Sequence, residues 1–343
     1  PEMSKLADRL GRPIRNLRLS VTDRCNLRCQ YCMPEEEYRW LPKDDLLSFE
    51  EIARITDQFT QLGVDKVRIT GGEPLLRRQL PTLIKALAER PQLRDIAMTT
   101  NAVLLEDHAQ DLKDAGLSRV TVSLDTLDPE TFQLLARRDD IERVHKGLRA
   151  AHEVGFQNTK IDTVAIRGVN DGEFGDLISY ARSINAEVRF IEYMDVGGAT
   201  RWRMDRVVSR ARILEILSAK FGSIRELPRT DAAPADRFEL ADGTTFGIIS
   251  SVTQPFCATC DRARLTADGM WFTCLYAQTG TDLRQLIRGG ASDEALHAKL
   301  IEVWAGRQDR GAEVRAGMHE RAPLAEQANL RENPHLEMHT RGG

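Results

Sequence analysis

No apolar run in the 343-residue chain approaches the roughly 20 residues that cross a bilayer. The first residues also lack the short apolar stretch of a secretory signal. Both absences make a cytoplasmic location the expectation and leave no membrane partner to seek. The formal net charge is only −4, so nucleic acid is not expected as the main partner, although a local basic pocket is compatible with it. There is no low-complexity tract and no internal repeat beyond an alternation of strand-like and helical patterns. Cysteine is scarce: the chain has 6, in two groups of three, Cys25, Cys29, Cys32 and Cys257, Cys260, Cys274, with none left over. Three thiols cannot pair among themselves, and a reducing compartment keeps them free, so the groups read as metal ligands rather than disulfides.

What is present is ordinary for a globular protein, with 41 % apolar and 29 % charged residues. The length allows one large domain, or one with a smaller partner. Strand patterns are predicted at 16–21, 66–70, 95–100, 119–124, 160–166 and 187–193. Amphipathic helical patterns lie between them at 49–62, 79–89, 106–115, 141–154 and 173–183. Six βα units in series imply a parallel sheet with right-handed crossovers. A full barrel takes eight units, so the expected fold is α/β, an incomplete (βα)6 TIM-like barrel over residues 1–208. A smaller C-terminal α+β domain over 209–343 is expected to close it. That part reads as a helix at 210–221, strands around Asp242-Gly243, a hairpin turning at Asp268-Gly269, and helices at 283–287 and 293–304. From Gly306 onward the sequence is polar and aperiodic and reads as an extended tail ending in Gly342-Gly343.

The first cysteine group follows the first strand directly, on the face where βα barrels assemble their chemistry. Soft thiolates suit zinc or an iron–sulfur cluster. A [4Fe–4S] cubane normally takes four cysteines, so three leave one iron open to a small molecule. The spacing C-x3-C-x2-C, with Tyr31 before the last cysteine, favours the cluster over a zinc site with a distant fourth ligand. Gly71-Gly72-Glu73-Pro74 follows the second strand. Its glycines permit close approach of a ligand, and its carboxylate can accept from an ammonium; an ordinary strand-to-helix turn is the plainer reading. The second group, C-x2-C and then Cys274, could be half a zinc ribbon, but no further cysteine remains as a fourth ligand. Arg262 and Arg264 alternate on a strand just after it and share one face. They are either solvated hairpin arginines or a fork for phosphate or carboxylate. Arg18, Arg68, Thr99, Ser123 and Lys160 interrupt strands that should read as apolar runs. Buried cations need partners, and a polyanion such as a triphosphate supplies them.

The Cys25–Cys32 motif resembles that of the radical S-adenosylmethionine superfamily. Taken with Val67-Arg68-Ile69-Thr70-Gly71-Gly72-Glu73-Pro74, Thr99-Thr100-Asn101, Ser123-Leu124-Asp125, Arg189–Met194 and Phe256–Arg264, the chain resembles the GTP 3′,8-cyclase branch of molybdenum cofactor biosynthesis. The resemblance implies two [4Fe–4S] clusters, one on Cys25, Cys29 and Cys32 and one on Cys257, Cys260 and Cys274. It places S-adenosylmethionine against Tyr31, Gly72, Ser123 and Met194. It places GTP against Arg18, Arg68, Thr99, Lys160, Arg262 and Arg264, with its base on the open iron of the second cluster. A deoxyadenosyl radical would abstract the ribose H3′, and C3′ would then attack C8 of guanine. Arg18, Gly342 and Gly343 would support catalysis, the glycine pair by reaching into the active site, although on residues alone the tail reads as disordered. The implied partners are GTP, a flavodoxin- or ferredoxin-type electron donor and a downstream cyclic pyranopterin monophosphate synthase, with the chain a monomer or homodimer. Two positions depart from the pattern. Ala102 stands where glycine is usual, which puts a φ > 0 turn in doubt. Asp162 stands where asparagine is usual, adding a negative charge near the phosphates. A peptide-modifying radical enzyme with an auxiliary cluster, or an iron–sulfur redox sensor, are the competing readings.

Overall fold

The computed structural model describes residues 6–343; residues 1–5, the start of the expected first domain, lie outside it. Six βα units run in series. The strands are β1 (Asn16–Ser20), β2 (Lys66–Thr70), β3 (Asp95–Thr100), β4 (Arg119–Ser123), β5 (Thr159–Ala165) and β6 (Ala186–Glu192). Each pairs in parallel with the next. The helices between them are α1 (Phe49–Gln61), α2 (Leu80–Ala88), α3 (Leu105–Ala115), α4 (Pro129–Ala136), α5 (Ile141–Glu153) and α6 (Phe174–Ser183). All predicted strands and helices of this part lie within one residue of their expected ends. Helix α1 shows why: Ser48 and Glu51 form a reciprocal capping box, and Ile52, Ile55 and Phe59 recur on the buried face. Helix α4 was not expected. It is short, but Asp128 caps it and Pro129 opens it, a start signal that the sequence did contain.

The C-terminal part contributes α7 (Arg210–Phe221) and the strands β7 (Ile224–Glu226), β8 (Asp236–Leu240), β9 (Thr245–Ile249), β10 (Arg262–Leu265), β11 (Met270–Phe272) and β12 (Thr281–Asp282). It ends in α8 (Leu283–Arg288), α9 (Asp293–Ala305), α10 (Gly311–Ala316), α11 (Gln327–Glu332) and α12 (Met338–Arg341). It does not form a separate layer. Strand β10 pairs in parallel with β1, and β9 pairs in parallel with β6, so both edges of the barrel sheet are extended. The order of the sheet is linear, β12-β11-β10-β1-β2-β3-β4-β5-β6-β9-β8-β7, as an incomplete barrel requires. Among the described residues no helix is long and apolar enough to cross a membrane.

The expectation of an extended tail after Gly306 is corrected. The segment folds back over the barrel mouth through short helices, because its polar side chains are anchors rather than solvated groups. Asp195 is fully buried and accepts from Tyr276 Oη (2.7 Å), Arg315 Nε (2.8 Å) and Arg321 Nε (2.7 Å). Arg341 is also buried and lies over the Phe272 ring. It donates to the carbonyls of His335 (2.7 Å), Leu275 (2.6 Å) and Ala277. The backbone N–H of Gly72 donates to the His339 carbonyl at 2.7 Å.

Burial alone would raise the Asp195 carboxyl, but hydrogen bonds from Arg321, Tyr276 and Arg315 outweigh it and hold the pKa below the usual range. Its contribution to stability is therefore present above the ordinary aspartate pKa and is lost as pH falls through the lowered folded-state value. Replacing Asp195 by Ala strands two mostly buried guanidinium groups and is expected to cost about 3 kcal/mol. Hydrogen exchange should show the loosening confined to residues 310–324, while β1–β6 keep their protection.

Candidate active site

All six cysteines line one cavity of about 620 Å³ inside the barrel. None of them is in a disulfide. The first three sit on the loop leaving β1, which tightens where Cys32 and Met33 donate their N–H groups to the Cys29 carbonyl. Helix α4 braces the same loop: its last carbonyls, Leu135 and Ala136, accept from the N–H groups of Gln30 and Arg28. The Gly71–Pro74 segment packs on it from the other side, with the Glu73 N–H on the Arg24 carbonyl at 2.8 Å. A Cβ on Gly72 would stand 1.9 Å from that carbonyl oxygen. Glycine is thus demanded by close approach of the two loops, not by a left-handed turn.

Two buried carboxylates flank this end of the cavity. Glu73 accepts from Thr100 Oγ1 (2.6 Å) and from the N–H groups of Asn101 and Leu75. Asp125 accepts from Tyr31 Oη (2.7 Å) and the Val164 N–H (2.8 Å). Burial pushes Glu73 up to about 7 and Asp125 up to about 6 against these donors. Asp125 belongs to the Ser123-Leu124-Asp125 motif but was not expected at the site; it stands behind the wall and holds Tyr31, which lines the cavity. Burial also pushes the Cys25 thiol up to about 11 and raises Cys29 and Cys32. In the second group burial likewise raises Cys257, with the Glu313 charge adding to it, but Cys260 has the opposite surroundings. Burial would raise Cys260, but the guanidinium groups of Arg262 and Arg307 hold it down to about 6. The N–H groups of Ala312 and Glu313 face Cys257.

The cations are arranged by strand register. Arg264, Arg18 and Arg68 stand abreast on β10, β1 and β2, and Arg262, Asn16 and Lys66 form the next row. Neighbouring strands lie ~4.8 Å apart. Burial, and then the charges of Arg264, Arg68 and Arg262, push the pKa of Arg18 well down. Burial pushes Arg68 and Arg264 down to about 10, so both remain charged at neutral pH. Among the described residues none of Arg18, Arg68, Arg262 or Arg264 has a carboxylate within 4.0 Å. Arg68 instead donates to Thr99 Oγ1 (3.2 Å) and Thr121 Oγ1 (3.0 Å). Arg264 donates to the Gly342 carbonyl (2.5 Å), and Thr70 Oγ1 donates to that of Gly343 (3.1 Å). Gly342 takes φ +81° with Thr70 against it, where a side chain would clash.

Arg18, Tyr31, Arg68, Gly72, Thr99, Ser123, Met194, Arg262, Arg264 and Gly343 therefore line the cavity with the six cysteines. Lys160 does not; its Nζ lies 3.5 Å from Glu187. Arg189 does, and was missed as a site residue, although it shares one strand face with Ile191, another lining residue. It stands in register beside Asp162, which is itself beside Ser123. Asp162 Oδ1 and Arg189 Nε are buried without a hydrogen-bond partner. Ala102 keeps the turn that glycine would make: φ is +63°, at a cost of about 1 kcal/mol for a residue with a Cβ.

The donor sets fit iron–sulfur clusters. Among the described residues no three His, Cys, Asp or Glu side chains are grouped to share one metal ion, whereas a cubane takes each thiolate on a separate iron. Gly311 leaves space at the second group that a Cβ would fill, 3.0 Å from Cys274 Sγ.

A loop of three cysteines at the C-terminal end of β1, braced by a glycine segment after β2, defines the radical S-adenosylmethionine class. Residues 19–181 match the family described as the radical SAM superfamily, and residues 186–313 match Molybdenum Cofactor Synthesis C. The chain is 54 % identical over 343 residues to GTP 3′,8-cyclase 1 of Mycobacterium tuberculosis, covering 99 % of this chain and 96 % of that one. It is 48 % identical over 321 residues to GTP 3′,8-cyclase of Acidothermus cellulolyticus, covering 91 % and 89 %. The chain belongs to the GTP 3′,8-cyclase family. Its fold is similar to that of Streptococcus suis SuiB bound to S-adenosylmethionine, with TM-score 0.61, 18 % identity, and coverage of 89 % of this chain and 68 % of that one.

Replacing Gly72 by Ala forces the glycine segment off the cysteine loop. The reconstituted variant is expected to lose S-adenosylmethionine binding and most cleavage, measured by equilibrium dialysis and 5′-deoxyadenosine release.

Proposed function

We propose that the row Arg264–Arg18–Arg68 grips the triphosphate of GTP between two iron–sulfur centres. The observation that carries this reading is three charged side chains abreast, without carboxylate partners, in the cavity that all six cysteines line. The chain cyclises GTP to (8S)-3′,8-cyclo-7,8-dihydroguanosine 5′-triphosphate, the first step of molybdenum cofactor biosynthesis, using S-adenosylmethionine and two [4Fe–4S] clusters. Cys25, Cys29 and Cys32 hold the first cluster, and Cys257, Cys260 and Cys274 the second. When bound, the first cluster supplies S-adenosylmethionine with one electron and so the radical that starts the chemistry.

The protein's part is to place and to screen. Tyr31, Gly72, Ser123 and Met194 contact S-adenosylmethionine, with Asp125 fixing Tyr31. Arg18, Arg68, Thr99, Arg262 and Arg264 contact GTP, joined by Arg189, and by Lys160 once it leaves Glu187. Arg264 ties Gly342, so the glycine pair seals the lumen beside the phosphates. Asp162 offsets part of the positive charge at the Arg189 side. The first cluster belongs to the partial barrel of residues 1–208 and the second to the C-terminal domain of residues 209–343. The reaction class is that of a lyase, in the cytoplasm, with a flavodoxin- or ferredoxin-type donor and a cyclic pyranopterin monophosphate synthase taking the product.

Anaerobic incubation of reconstituted protein with dithionite, S-adenosylmethionine and GTP is expected to give 5′-deoxyadenosine and a cyclised nucleotide together. Cleavage without GTP consumption would instead mark a peptide-modifying enzyme, and no cleavage a sensor. Replacing Arg264 by Ala removes a charged hydrogen bond worth about 1.5–3 kcal/mol. GTP binding should weaken about tenfold to a hundredfold, while the iron–sulfur absorption stays intact. Loss of that absorption would reassign Arg264 to the cluster.

A further inference from the structure

The mechanism leaves unused a fully buried cluster behind the second cysteine group. Asp8 Oδ2 accepts from Arg12 Nε at 2.7 Å and from Arg307 Nη1 at 3.2 Å. Their side chains are 0 %, 2 % and 1 % exposed. Two buried arginines share this one buried carboxylate, and both reach the cysteines. Arg12 Nη1 donates to the Cys257 carbonyl at 2.9 Å. Arg307 Nη1 donates to the Cys260 carbonyl at 2.9 Å, and its Nε to the carbonyl of Thr273, next to Cys274, at 3.0 Å. Its remaining nitrogen, Nη2, lies 3.3 Å from Cys260 Sγ. The guanidinium stacks on Trp304, 4.4 Å from the ring centroid. Trp304 is fixed in turn by its Nε1 donating to the Arg12 carbonyl at 3.1 Å. Arg262 approaches the same sulfur at 3.5 Å. Asp309, partly exposed and 3.8 Å from Arg307 Nε, balances the formal count, so the positive field at Cys260 is local and set by the guanidinium nitrogen nearest its sulfur. The first cysteine group has no arginine on its sulfurs among the described residues; it is faced by Glu73, Asp125 and Glu337, with Arg28, which donates to the Cys25 carbonyl at 2.8 Å, offsetting part of their charge.

We infer that Arg307 is a positioning residue for the second iron–sulfur centre: it fixes Cys260 through both carbonyl and sulfur, and its charge raises that centre's reduction potential above the first. A hydrogen bond and a positive charge at a ligand sulfur favour the reduced cluster, which is one electron more negative. Arg262 faces the cavity and the substrate, so Arg307 is the part of this field that persists whether or not GTP is bound. The inference rests on the assignment of a cluster to Cys257, Cys260 and Cys274.

The test is a redox titration of the full reconstituted chain, followed by electron paramagnetic resonance. Added S-adenosylmethionine identifies the first centre by perturbing its signal. With Arg307 replaced by Gln, the ratio of reduced to oxidised second centre at a fixed potential should fall about tenfold, 59 mV for a one-electron couple. The first centre should not move. Arg307→Lys, which keeps the charge but not the fork, should shift the second centre less and in the same direction. A second midpoint unmoved in Arg307→Gln, or equal movement of both centres, overturns the inference. Loss of the second cluster from both variants also overturns it, leaving Arg307 a purely structural residue. Failure of the underlying assignment looks different: the native chain itself would hold about four iron atoms instead of about eight.

Discussion

Like charges held side by side inside the barrel are the constraint on which the rest of the site depends. Unit charges one strand spacing apart, ~4.8 Å, repel by about 3 kcal/mol at an effective dielectric near 20. The parallel register of β10, β1 and β2 nevertheless aligns Arg264, Arg18 and Arg68. Hydroxyls of Thr99 and Thr121 and the Gly342 carbonyl satisfy some of their N–H groups without neutralising them. On the proposed reading, the triphosphate supplies the opposite charge that these neutral acceptors do not. The same pairing of β10 with β1 brings the second cysteine group to the lumen, so binding and chemistry share one structural cause.

The two ends of the cavity are electrostatically unlike. Around Cys25, Cys29 and Cys32 stand the carboxyl groups of Glu73, Asp125 and Glu337, with Arg28 the one guanidinium acting on Cys25. Around Cys260 stand guanidinium groups. On the proposed reading, a cluster at the second end is the better stabilised against added negative charge. The C-terminal segment spans both regions. Its Arg341 holds the backbone after Cys274, and its His339 carbonyl holds Gly72 beside the first cysteine loop. Buried ion pairs and backbone hydrogen bonds thus anchor the C-terminal segment, beside a small apolar cluster of Ala325, Leu330 and Leu336.

Much of this was legible along the chain. The six βα units are local patterns, set by period and caps, and each survived folding nearly unchanged. The cysteine triads carry their meaning in spacing, and Gly71-Gly72 in position after a strand. Helix α4 was overlooked because a single turn pair of apolar residues, Phe132 and Leu135, is too short to show a period. Arg189 was overlooked because one arginine in a strand has no signature until its neighbours across the sheet are known. The tail was misread as extended because its anchors are polar, and polar residues report burial only through their partners.

The sequence by itself determined the parallel α/β architecture, the two cysteine groups and the glycine segment, since each depends on residues close together in the chain. Tertiary structure decided which cations stand abreast, that β9 and β10 extend opposite edges of one sheet, that Lys160 pairs with Glu187, and that Asp195 and Arg341 fold the tail inward. Those outcomes are long-range: they follow from strand register and from the need of buried charge for a partner, and neither can be read from a single stretch of chain.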